Sequence, residues 1–234
     1  MLFELCADSL EAARAAQAGG ADRLELCEDL PVGGVTPRKS LLRAVLDEVS
    51  IPVHVLVRPR GGDFVYTSAE FQRMRDEIEH AKAAGAAGVV IGVLRPDGRV
   101  DVERTRELAL LARPMKVTFH RAFDESNDLE PALEDVILTG ADCLLTSGGA
   151  PNVREGADRI GRLMRQAAGR IEIMAGGGLR LASMAEVVRR SRVTKLHGSL
   201  LRPGVSGTDR RSLLELDIRE AMRVLKQECL EAAF

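Results

Sequence analysis

The sequence predicts an α/β fold in which eight parallel strands alternate with eight helices, a closed (β/α)8 barrel forming a single domain over residues 1–234. Three observations carry the prediction. Short β-rich runs alternate strictly with stretches whose apolar residues recur three and four apart, the helical spacing. The length gives about 29 residues per unit, enough for a strand, a helix and two short loops. A weak repeat, Gly20-Ala21-Asp22, Gly85-Ala86-Ala87 and Gly140-Ala141-Asp142, falls where a helix gives way to a strand. Glycine is the usual residue there because the helix C-terminus needs a positive φ.

In chain order, a strand at Leu2–Ala7 leads into a helix at Ser9–Ala18. Arg23–Cys27 is followed by Ser40–Val49, with Ser40 placed to cap the helix. Val53–Arg58 precedes the long helix Ser68–Ala84, and Val89–Val93 precedes Val102–Leu111. Lys116–Arg121 is followed by Leu129–Leu138, and Cys143–Thr146 by Arg154–Ala167. Ile171–Ala175 pairs with Leu181–Arg190, and Val193–His197 with a last helix from about Leu213 to Gln227. An open dinucleotide-binding sheet would also alternate strand and helix. No G-x-G-x-x-G follows the first strand, however, so no nucleotide cofactor is expected. No linker divides the chain.

Lys plus Arg is 33 and Asp plus Glu is 35, a net charge of −2. That balance argues against a nucleic-acid or anionic-membrane partner, which would need a basic surface. No run of 18 apolar residues is present. The four cysteines, Cys6, Cys27, Cys143 and Cys229, are far apart and form no C-x-x-C pair. They read as reduced thiols, and with no leader-like segment before the first strand the expected location is cytoplasmic.

In a (β/α)8 barrel the chemistry belongs at the C-terminal strand ends and the loops that follow. Polar residues stand out there because parallel strands are mostly apolar. Period two groups Glu4 with Cys6, Glu25 with Cys27, His54 with Arg58 and Thr118 with His120. If those faces point inward, Glu4 and Glu25 need partners, and Arg58 or a histidine would serve. A purely structural ion-pair layer is the competing reading. The loop Arg58-Pro59-Arg60-Gly61-Gly62-Asp63-Phe64-Val65-Tyr66 offers two planar donor forks suited to carboxylate or phosphate. Arg58 and Arg60 are therefore candidate anion clamps, with loop-holding salt bridges as the alternative. Gly177, Gly178 and Ser199 lie where barrel backbones cradle anions, although a tight turn would need the same glycines. His120 with Glu25 or Asp124 is a candidate acid–base pair; a structural histidine is equally open, as it is for His197. Cys6 and Cys27 occupy equivalent places on adjacent strands and form a candidate dithiol site for Cu(I) or zinc, with Met174 as a soft third ligand. Small buried cysteines acting as hydrophobes are the commoner case.

The segments Gly20 to Cys27, Gly33-Gly34-Val35-Thr36-Pro37, Arg58 to Tyr66, Thr118-Phe119-His120-Arg121-Ala122-Phe123-Asp124 and Leu145-Thr146-Ser147-Gly148 closely resemble the CutC family, over Met1 to about Leu200. The resemblance implies a cytoplasmic TIM barrel, often a homodimer, named for copper homeostasis and with no settled catalysed reaction. It maps the family's proposed copper cysteines onto Cys6 and Cys27, and the strand 3 and 5 motifs onto Arg58, Arg60, Asp63, His120, Arg121 and Asp124. The chain departs from the pattern at Arg38-Lys39, after Gly178 and beyond His197. Two expectations follow: a copper-handling protein, or an enzyme acting on a small anionic or phosphorylated molecule at the barrel mouth.

Overall fold

Each strand sends alternate side chains to opposite faces, and their destinations define the architecture. The computed structural model describes residues 1–201 and 208–231. Its strands are β1 (Leu2–Ala7), β2 (Arg23–Leu26), β3 (Val53–Leu56), β4 (Gly88–Ile91), β5 (Lys116–Phe119), β6 (Cys143–Thr146), β7 (Glu172–Gly176) and β8 (Lys195–Gly198). They hydrogen-bond in parallel and in chain order, and β1 also pairs with β8, which closes the expected barrel. Around it lie α1 (Leu10–Gly19), α2 (Lys39–Glu48), α3 (Ser68–Ala84), α4 (Val102–Ala112), α5 (Leu129–Thr139), α6 (Val153–Ala167), α7 (Leu181–Ser191) and α8 (Thr208–Glu231). Among the described residues no helix is long and apolar enough to cross a membrane.

Outward-facing Phe3, Leu5, Leu24, Ile91, Phe119 and Leu144 are fully buried and build the main apolar core against the helices. Each such side chain contributes roughly 1.5–3 kcal/mol. The inner face is different. Cys6, Cys27, Leu56 and Val90 form one small apolar cluster there, and Cys143, Leu145 and Met174 another. The same face carries Glu4, Arg23, Glu25, His54 and His197, all buried.

The repeat glycines do what their spacing suggests: Gly20, Gly85 and Gly140 end α1, α3 and α5 with φ of 87°, 91° and 81°. Ser40 does not cap α2. The backbone is already helical at Lys39, and the Arg38 N–H before it donates to the Glu28 carboxylate. β3 and β5 end two residues earlier than expected. Val57 N–H still donates to the Val90 carbonyl and His120 N–H to that of Ile91. Then Arg58 N–H turns to Thr36 Oγ1, and Arg121–Glu125 winds into a 3-10 turn. Both changes place Arg58 and His120 in the mouth of the barrel.

Candidate functional site

The parallel register sets Glu4 of β1 level with Arg23 of β2 and His197 of β8. Arg23 Nε donates to Glu4 Oε2 at 2.5 Å and His197 Nδ1 donates to Oε1 at 2.8 Å. His54 Nδ1 stands 4.0 Å from the same carboxylate. Burial alone would raise the Glu4 pKa, but the His197 hydrogen bond and the Arg23 charge outweigh it and hold the carboxyl at about 2. Of the partners expected for Glu4, a histidine is present. Arg58 is not, and Arg23 takes its place. His54 is pushed down to about 4, chiefly by burial, and stays neutral.

Above this layer, Cys6 Sγ–H donates to Glu25 Oε1 at 3.6 Å, and Cys6 Sγ lies 3.5 Å from Cys27 Sγ. Among the described residues Glu25 Oε2 is buried with no hydrogen-bond partner. The donor atoms of Cys6, Glu25 and His197 lie within 4.8 Å of one another, close enough to share a metal ion. Contact with Cys27, then burial, raises the Cys6 thiol well above its usual range. Burial also raises the Glu25 carboxyl. Burial works against charge on His197, but the Glu25 carboxylate and the Glu4 hydrogen bond prevail and raise its pKa. Met174 belongs elsewhere: its sulfur accepts from Arg23 Nη2 at 3.6 Å and packs with Cys143 and Leu145.

Cys6, Glu25 and His197 form the floor of a cavity of about 680 Å³ at the C-terminal ends of the strands. Cys6, Glu25, Arg58, His120, Asp124, Gly177, Gly178 and Ser199 all line it, together with Phe64, Arg121 and His197. Cys27 and Arg60 do not. In the wall, His120 Nδ1 accepts from Ala122 N–H at 3.2 Å, so the neutral ring carries its proton on Nε2, which is buried without a partner. Burial first, then the Arg58 and Arg121 charges, lower its pKa to about 3. The ring fits because β4 is followed by Gly92, where a Cβ would stand 2.5 Å from it. Asp124 makes no hydrogen bond to His120. It accepts from Arg121 Nε, Thr146 Oγ1, Ser147 N–H and Oγ, and Gly149 N–H, and so ties the loops after β5 and β6 together.

At the rim, Arg58 donates to the carbonyls of Val32, Gly34 and Gly62 and lies 4.7 Å from the Phe64 ring centroid. Arg60 donates to Glu70, Asp63 and the Val65 carbonyl. Both arginines hold the loop in shape. Among the described residues lining the mouth, the half-exposed guanidinium is that of Arg121, which passes over Gly177 where a Cβ would stand 2.9 Å from Cζ. Sequence reasoning missed Arg23 as the partner of Glu4. Its one signal was a position two before Glu25, on the same strand face.

The CutC family model matches residues 1–201, which include every strand and every residue of the floor. A family protein CutC from Chromobacterium violaceum is 47% identical over 198 residues, covering 85% of this chain and 80% of that protein. The human copper homeostasis protein cutC homolog is 45% identical over 198 residues, covering 85% of this chain and 72% of that protein. A crystal structure of the copper homeostasis protein CutC from Streptococcus agalactiae superposes with a TM-score of 0.80 at 30% identity, covering 85% of this chain and 98% of that one. The motifs, the barrel and these likenesses agree, and the chain belongs to the CutC family.

Proposed function

We propose that the barrel mouth binds a small polar, anionic molecule and performs acid–base chemistry on it. One observation carries the reading: among the described residues Glu25 Oε2 and His120 Nε2 are buried without partners, and both belong to residues lining the same 680 Å³ cavity. Folded proteins seldom leave such atoms unpaired, and a polar ligand would satisfy both. Each group has a role. The Glu25 carboxyl, raised by burial, is the group placed to take up and return a proton. The neutral His120 donates Nε2–H to a carbonyl or alkoxide oxygen, and His197, shifted toward its charged form by Glu25 and Glu4, faces the same cavity. Arg121, Gly177, Gly178 and Ser199 form the side of the cavity suited to an anion.

Titration with inorganic phosphate, followed by NMR, tests this. We expect shifts at the amides of Gly177, Gly178 and Ser199 and at the His120 ring, weakened at least tenfold in Arg121→Met. An unperturbed mouth at high phosphate would sink the reading.

A second reading, Cu(I) as cargo, is favoured by the two thiols 3.5 Å apart and by the human relative's name. A close pair of sulfur donors fits that soft ion. Anaerobic Cu(I) titration against a competing chelator should show affinity lost in the Cys6→Ser, Cys27→Ser double variant. Unchanged affinity removes this reading. A cytoplasmic location and a homodimer belong to the same proposal; they rest on the free cysteines and the family resemblance, and light scattering tests the dimer.

A further inference from the structure

We infer that Cys6, Glu25 and His197 form a three-ligand site for a divalent metal of borderline softness, zinc being the type, with the remaining coordination position open to the cavity. The inference rests on the mouth being the working site, and it differs from the dithiol reading in which residues it requires.

The donor set comes first. One thiol sulfur, one carboxylate oxygen and one imidazole nitrogen converge, and all three side chains are buried. Zinc accepts that mixture, whereas Cu(I) selects sulfur. Cys27 is not part of the converging group; its thiol donates to the Ala7 carbonyl at 3.7 Å and packs with Leu56 and Val90. For the sulfur–carboxylate pair the distance agrees as well. Bonds of about 2.3 Å to sulfur and about 2.1 Å to oxygen at a tetrahedral angle separate the two donors by about 3.6 Å. Cys6 Sγ and Glu25 Oε1 are 3.6 Å apart.

Two further observations are independent of the cluster itself. Glu25 Oε2 is buried and lacks a hydrogen-bond partner among the described residues, so the carboxylate has coordination capacity that none of them uses. His197 is oriented from behind: its Nδ1 is committed to Glu4, and Glu4 is held in turn by Arg23. This is the carboxylate–histidine arrangement that fixes a ligating ring and leaves Nε2 to the metal. Charge closes the case for a divalent ion. A Cys6 thiolate and a Glu25 carboxylate together neutralise two positive charges, while Glu4 and Arg23 neutralise each other. Binding releases the Cys6 thiol proton to solvent, together with the His197 Nε2 proton when the ring carries one, with no change in oxidation state. All three ligands also line the cavity, which leaves the fourth position facing any small molecule bound there.

The test uses the full chain, stripped of metal and titrated anaerobically with Zn2+ against a chromophoric chelator. One equivalent should bind. Cys6→Ser, Glu25→Gln and His197→Ala should each weaken binding at least a hundredfold, and Glu4→Gln about tenfold or more. Cys27→Ala should stay within about threefold of the parent. Co2+ loading should give a thiolate charge-transfer band that survives in Cys27→Ala and disappears in Cys6→Ser. Should variants fold poorly, X-ray absorption on the Zn2+-loaded parent decides: one sulfur in the inner sphere supports the site, and two sulfurs overturn it. Affinity that depends on Cys27 but not on Glu25 or His197 would also overturn it. Metal-free protein that still binds phosphate would separate failure of this site from failure of the proposed function.

Discussion

The rim loop from Arg58 to Tyr66 and the floor beneath it hold comparable numbers of charged groups, yet the fold commits those of the rim far more fully to its own loop. Arg58 and Arg60 between them satisfy backbone carbonyls and two carboxylates within reach of the loop. Glu25 and His120 keep unpaired atoms buried in the cavity. Charge that is conspicuous in a sequence is thus different from charge that is chemically available. A guanidinium offers five donors; loop carbonyls take up those on the two Arg58 Nη atoms, and only its buried Nε has no partner among the described residues.

Perturbing the rim tests that contrast most strongly. Arg58→Met leaves three carbonyls without their donor and should cost roughly 3 kcal/mol or more, read from urea unfolding. If the loop is only a strut, the phosphate-induced shifts at Gly177 and Ser199 survive in the folded fraction. Their loss would make Arg58 a ligand group after all.

Acid probes the interior side. His120 has a folded pKa near 3, below the unfolded value of 6.5. Its contribution to stability is therefore complete above pH 6.5 and is lost as the pH falls through 6.5 toward 3. Between pH 7 and 5 the parent should lose roughly 2 kcal/mol more than His120→Asn, which takes up no such proton. Equal losses in the two proteins would mean that His120 is not held neutral.

The smallest effect belongs to Arg60. Its partner Asp63 is largely exposed, and exposed pairs contribute little. Arg60→Ala should change stability by about 1 kcal/mol or less. A larger loss would make the two rim arginines equivalent and blunt the contrast.

Much of this was legible from residue order. Alternation of strand and helix, the three glycine turns and the period-two faces gave the barrel and put Cys6, Glu25, His120 and Gly177 at its mouth. What stayed hidden depends on register and on competition. Nothing local says that Glu4 lies level with Arg23 and with His197, because parallel pairing is set by closure of the whole sheet. Nothing local says that Asp124 will be saturated by Thr146, Ser147 and Gly149, since those donors arrive from the next unit. The strand ends at Leu56 and Phe119 came early for a similar reason: side-chain and turn hydrogen bonds beyond the sheet won over one more rung.

The hydrogen bond between His197 and Glu4 joins residues 193 positions apart, across the seam where the last strand meets the first. A nascent chain leaving the ribosome carries Cys6 and Glu25 early but cannot assemble the floor until β8 emerges and docks. The floor is therefore a certificate of completed folding. Whatever ligand it holds will discriminate finished barrels from incomplete ones, and will bias the seam toward staying shut.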